Sequence, residues 1–124
     1  MNPKLWRRIE GLARRETAAV LKRLPGALRG PASALPVSYE TYPSEEIAEE
    51  FDGDDLLGLF VGMPYGMSEV SDPLPAQILL FLENIWDYAD GDESIYCEEV
   101  GLTFLHELGH YLGLDEEDVE ERGL

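Results

Sequence analysis

The chain has 124 residues, 44% of them hydrophobic, with one cysteine and a net charge of −17. That length suits one domain, 1–124, built on one core. No apolar run approaches the roughly 20 residues of a membrane helix, and Cys97 alone cannot close an internal disulfide. Eight of the nine basic residues lie between Lys4 and Arg29, and from Gly30 to Glu121 no Lys or Arg stands against 24 acids. Such a body repels phosphate, which argues against nucleic acid as a partner. The basic segment is expected to lie across the acidic body and neutralise it rather than to bind a membrane. The first residues lack an apolar signal core and a small-residue cleavage site, so the cytoplasm is the expected compartment.

Residues 3 to about 24 read as one amphipathic helix, with Leu5, Ile9, Leu12, Ala19 and Leu24 near one face. Pro3 suits its start and Pro25-Gly26 its end. Ala27 to Leu35 carries Gly30 and Pro31 and reads as a connector. Pro36 to Tyr42 alternates apolar or aromatic residues with polar ones and predicts a half-buried strand. Ser44 followed by acids predicts a short helix to Phe51. Leu56 to Gly62 predicts a second strand, in which Gly58 signals a bulge or a close backbone approach. Met63 to Ala76 reads as an irregular loop, a candidate substrate rim. Gln77 to Glu83 is the strongest strand signal and is expected at the centre of the sheet. Asn84 to Asp92 is ambiguous. From Glu93 to Leu112 a helical period returns, with Cys97, Gly101, Leu105, Leu108 and Leu112 as the expected core stripe. Gly113 sits where a left-handed residue ends a helix, and Asp115 to Arg122 predicts a short terminal helix. The class is α+β.

The last long helix carries the chemistry. It holds the only two histidines, His106 and His110. Side chains four apart on a helix are neighbours, with Cβ atoms about 5–6 Å apart. Two imidazoles so placed can converge on one Zn²⁺, at bonds of about 2.0–2.1 Å. Glu107 lies at the edge of that face, set to act on water at the metal rather than to bind the metal. Beyond Gly113, Asp115 and Glu116 offer a carboxylate as third ligand. The spacing H-x₃-H-x₅-E equals that of the metzincin pattern with Glu116 in place of the last histidine, so Glu116 is preferred over Asp115. The reaction this predicts is peptide hydrolysis, with Glu107 as general base and then as proton donor to the leaving amine. Blander readings are solvated histidines and an ordinary surface acid in an acidic chain. Cys97, Trp86, Tyr88 and Phe104 are expected in the core.

The segments LLGLFVGMP from Leu56, PAQILLF from Pro75 and HELGHYLGLDEEDVEERGL from His106 resemble the small bacterial zincin-like metallopeptidases, sometimes called minimal matrix-metalloprotease-like proteins. The resemblance runs from about Pro36 to Leu124. It implies a zincin-like α+β fold: an N-terminal helix, a small sheet of about three strands packed on the active-site helix, and a short terminal helix. It also implies zinc ligands at His106, His110 and a carboxylate near Glu116, with Glu107 as catalytic acid/base and a peptide or protein as substrate. No methionine follows the motif, so the Met-turn of the larger metzincins is absent. Two other readings stay open. One is a metal-binding or protein-interaction module on the same scaffold. The other is a metal-dependent RNA hydrolase, whose family has a comparable His-x₃-His-x₅-His helix. Glu107, where that family has glycine, and the missing basic surface stand against it.

Overall fold

The computed structural model describes residues 1–51, 53, 55–63, 65 and 75–114. Helix α1 spans Pro3–Arg23, with the Asn2 side chain accepting the Leu5 N–H and Pro3 in the first turn. The cap satisfies one of the amide donors that every helix start leaves unpaired. Ile9, Leu12, Ala13, Thr17 and Val20 form its buried face.

Gly26–Ala34 is helix α2, not a connector. Pro31 costs this short helix an amide donor and counts against it in a local reading. Tertiary contacts outweigh that cost. Leu24 and Leu35 anchor both ends in the core and Ala32 is buried between them. Arg29 donates to the carbonyls of Lys22 and Leu24 at the end of α1, at 3.2 and 2.9 Å.

Strand β1 (Val37–Glu40) is followed by helix α3 (Glu45–Glu50), which Ser44 caps by accepting from the Ile47 N–H. Strands β2 (Gly58–Val61) and β3 (Gln77–Phe81) complete a sheet of order β1-β3-β2. As expected, β3 is central, parallel to β1 and antiparallel to β2. Its buried Ile78, Leu80 and Phe81 explain the near-continuous apolar run.

The strand signal at Gln77 to Glu83 runs two residues too far, because helix α4 (Leu82–Tyr88) begins directly after Phe81. An apolar run does not itself distinguish a strand from a buried helix start. Asn84 fixes the break: its Nδ2 donates to the carbonyls of Gly53 and Leu56 at 2.7 and 2.9 Å. Leu82 and Ile85 fill the core, while Tyr88, expected inside, is exposed.

Helix α5 spans Glu93–Leu112 and is capped by Asp92, whose side chain accepts the Ile95 N–H at 3.0 Å. It contacts α1, α2, α4, β2 and β3. Its fully buried line is Tyr96, Val100, Phe104 and Leu108; Leu108 belongs to the expected stripe, while the first three lie one residue before the expected Cys97, Gly101 and Leu105. Cys97, Leu105 and Leu112 lie only partly buried at the margin of the core. With neighbours on several sides, α5 buries a wider arc than one heptad stripe describes. The Tyr96 hydroxyl donates to the Ile9 carbonyl at 2.7 Å, stitching α1 to α5, and burial pushes its pKa far up. Arg8 pairs with Glu93 across the same two helices and holds that carboxyl below its usual range. Arg14 lies over the Tyr39 ring, 4.4 Å from its centroid. The basic helix thus packs on the helix that carries the two histidines.

Gly58 marks the close approach its position in a strand suggests. A Cβ there would fall 2.6 Å from the Thr103 γ-methyl on α5 and 3.3 Å from both the Leu79 carbonyl oxygen and Leu80 Cδ2. Gly58→Ala is therefore expected to destabilise the protein by about 1–3 kcal/mol through overpacking. Thr103→Ser, which removes the clashing methyl, should recover part of that loss in the double variant. Urea unfolding of the four proteins of this cycle measures the coupling.

Candidate metal centre

The histidines sit on the last turns of α5, one turn apart, and both are exposed. Leu108 and Gly109 between them are buried, so the helix is anchored by the residues that alternate with the pair. The ring planes stand at 89° with centroids 4.8 Å apart, and the two Nε2 atoms approach to 3.2 Å. Two nitrogens bound at 2.0–2.1 Å to a tetrahedral ion stand about 3.3 Å apart. The spacing of the pair fits one ion of that size and geometry.

Glu107 lies between them in sequence and behind them in depth. Its exposure is 9%, against a half-exposed His106 side chain. Oε1 accepts the backbone N–H of Phe60 on β2 at 3.0 Å, and Oε2 lies 4.0 Å from His106 Nε2. The Phe60 donor is available because of the ladder. The Phe81 N–H donates to the Leu57 carbonyl, so Leu57, Leu59 and Val61 turn their polar groups to β3 while Gly58 and Phe60 turn theirs outward. The edge strand thereby holds one carboxylate oxygen and orients the other toward the histidines. Among the described residues, His106, Glu107 and His110 are a group able to hold a metal ion, with ligand atoms all within 4.8 Å of one another.

The helix end is set by Gly113, which takes the left-handed conformation at φ 73°. The Leu114 N–H reaches the Gly109 carbonyl at 2.8 Å and the Gly113 N–H reaches the His110 carbonyl at 3.3 Å. This is a Schellman end, and it stops α5 within one turn of His110. Asp115, Glu116 and the expected terminal helix lie outside the described residues, as does most of the loop from Met63 to Ala76.

On one side of the centre Tyr111 packs against Phe60 and Tyr65, with ring centroids 5.6 and 5.8 Å away. A cleft of about 470 Å³ opens on His106 and Glu107, between Asp55, Leu57 and Gly58 on the approach to β2 and Leu102 and Thr103 on α5. Neither the cleft nor the Phe60 anchor was legible in the sequence. A backbone N–H has no residue signature, and Gly58 was the one local sign that β2 and α5 meet.

The model of the zincin-like metallopeptidase family matches residues 32–124 of the chain. The chain belongs to that family. Membership accounts for the α+β architecture and for the position of the His-Glu-x-x-His helix. Zincin-like metallopeptidases imply a divalent metal, typically zinc, and substrates that are peptides or proteins. A comparison with curated proteins returned no match. No helix among the described residues is long and apolar enough to cross a membrane.

Proposed function

We propose that this chain is a cytoplasmic zinc-dependent peptidase acting as one domain, 1–124, with His106, His110 and Glu116 as ligands and Glu107 as general base. One observation carries the reading: the two Nε2 atoms stand 3.2 Å apart beside a carboxylate already fixed by the Phe60 N–H. The donor set of imidazole nitrogen and carboxylate oxygen suits zinc, and three protein ligands leave a position for water or substrate. Zinc in such a site supplies a Lewis acid that acidifies water and polarises the scissile carbonyl.

The residues of the chain do the rest. The Glu107 Oε2–His106 Nε2 distance of 4.0 Å exceeds the separation of co-ligands, which suits a group that acts on water instead of binding the ion. With Oε1 held by Phe60, Oε2 is the oxygen that receives the proton as water attacks, and it then passes that proton to the departing amine nitrogen. Burial of Glu107 limits competing bulk water and gives the carboxylate one orientation. Gly113 ends the helix three residues before Glu116, early enough for the chain to turn back as a third ligand requires.

A peptide-library assay on chelator-stripped and zinc-reconstituted protein tests the proposal. Cleavage that disappears on stripping and returns with zinc is the expected result. Bound zinc with no cleavage of any peptide would contradict it and point to a metal-binding module on this scaffold.

A further inference from the structure

We propose that Asn84 is a positioning residue for the peptidase site: it fixes the Leu57 wall of the cleft beside His106 and Glu107, and so sets how tightly a substrate side chain is held there. The proposal rests on the peptidase reading above and deepens it. Asn84 is 6% exposed in the first turn of α4, a depth at which a polar side chain persists only with its hydrogen bonds made. Both hydrogens of its amide are committed. Nδ2 donates to the Gly53 carbonyl at 2.7 Å and to the Leu56 carbonyl at 2.9 Å. One side chain thus closes the turn that leads into β2.

The Leu56 carbonyl belongs to the peptide plane before Leu57, and the Leu57 carbonyl to the plane after it. The second plane is held by the Phe81 N–H at 2.9 Å. With both planes tied to the junction of β3 and α4, the two backbone dihedrals of Leu57 are set, and with them the direction of its side chain. Leu57 lines the cleft of about 470 Å³ together with Leu102 and Thr103 of α5. Loss of the Asn84 donors frees the first plane only. The ladder to β3 still holds β2, and with it the Phe60 N–H that orients Glu107. Substrate binding should therefore suffer while the metal centre and the chemical step do not.

Binding separates this proposal from the reading it rests on. Two zinc-binding probes that differ by one isobutyl group, acetohydroxamate and 4-methylpentanohydroxamate, are titrated by calorimetry. The zinc-loaded proteins are the unsubstituted chain, Asn84→Ala, Leu57→Ala and the double variant, and each is also assayed for peptide cleavage. The larger probe should bind the unsubstituted protein about tenfold more tightly, part of the gain from burying one leucine-sized group. Either single substitution should remove most of that preference. The double variant should lose no more than Leu57→Ala alone, because Asn84 acts through Leu57. For a cleaved peptide, Asn84→Ala should raise KM about tenfold and leave kcat within about twofold. Zinc affinity and acetohydroxamate binding should stay constant. Asn84→Ser, which keeps a hydroxyl but cannot bridge both carbonyls, is read the same way should Asn84→Ala fail to fold. A preference and a KM that survive loss of the Asn84 amide, or effects that add in the double variant, would overturn the positioning role and leave the peptidase reading standing. A preference that depends on both residues, with no peptide cleaved, would sustain the positioning role and overturn the peptidase reading. Absence of both probe binding and cleavage would overturn both.

Discussion

Glu107→Gln is expected to lower kcat/KM by about 10²–10⁴-fold while leaving zinc content and stability close to those of the unsubstituted protein. The glutamine retains an amide oxygen that can accept the Phe60 N–H, so the contact between α5 and β2 survives. It has no carboxylate to take a proton. Glu107→Ala should lose the same activity and also about 1–3 kcal/mol of stability, because the Phe60 donor then has no partner at a half-buried strand edge. Peptide cleavage and urea unfolding of both variants separate the two roles. Equal destabilisation by Gln and Ala would overturn the anchoring role assigned to Oε1.

Phe104→Ala should be the most damaging single truncation on α5. The ring is 1% exposed and lies in the buried line with Tyr96, Val100 and Leu108. Emptying such a site costs about 3–5 kcal/mol, which for a chain of this size lowers Tm by roughly 10–20 °C. Leu102→Ala, on the exposed face of the same helix, should change stability far less. Calorimetry of the two variants checks the contrast, and a small Tm change for Phe104→Ala would place the core elsewhere.

Much of the fold was legible because its local signals agree with its tertiary contacts. Pro3, Ser44 and Gly113 act at the helix ends where their chemistry places them. The run at Gln77 is the central strand. The failures occur where tertiary contacts overrule local propensity. Pro31 hides α2, whose stability comes from Leu24, Leu35 and Arg29 reaching other elements. Leu82 extends the apolar run past the strand, and Asn84 fixes the start of α4 by binding two distant carbonyls.

The core stripe of α5 illustrates how such an error bears on the site. The buried arc runs through Tyr96 and Phe104 toward Glu107, and so places that carboxylate inside while His106 and His110 remain at the rim. The spacing of the histidines expressed their proximity on one face. The depth of Glu107 and its partner on β2 depend on where the sheet docks, which no helical period encodes. Cys97, expected in the core, lies at its margin, where burial pushes its thiol pKa up.

The metal centre is tested most directly by zinc stoichiometry and affinity. Elemental analysis with competition against a chromophoric chelator is applied to the unsubstituted protein, His106→Ala and His110→Ala. The account predicts one zinc per chain in the first, and in each variant an affinity at least about a hundredfold weaker, the upper end of what substitutions beyond the ligands cost. A protein that binds no zinc, or one whose affinity is the same after either substitution, would contradict it.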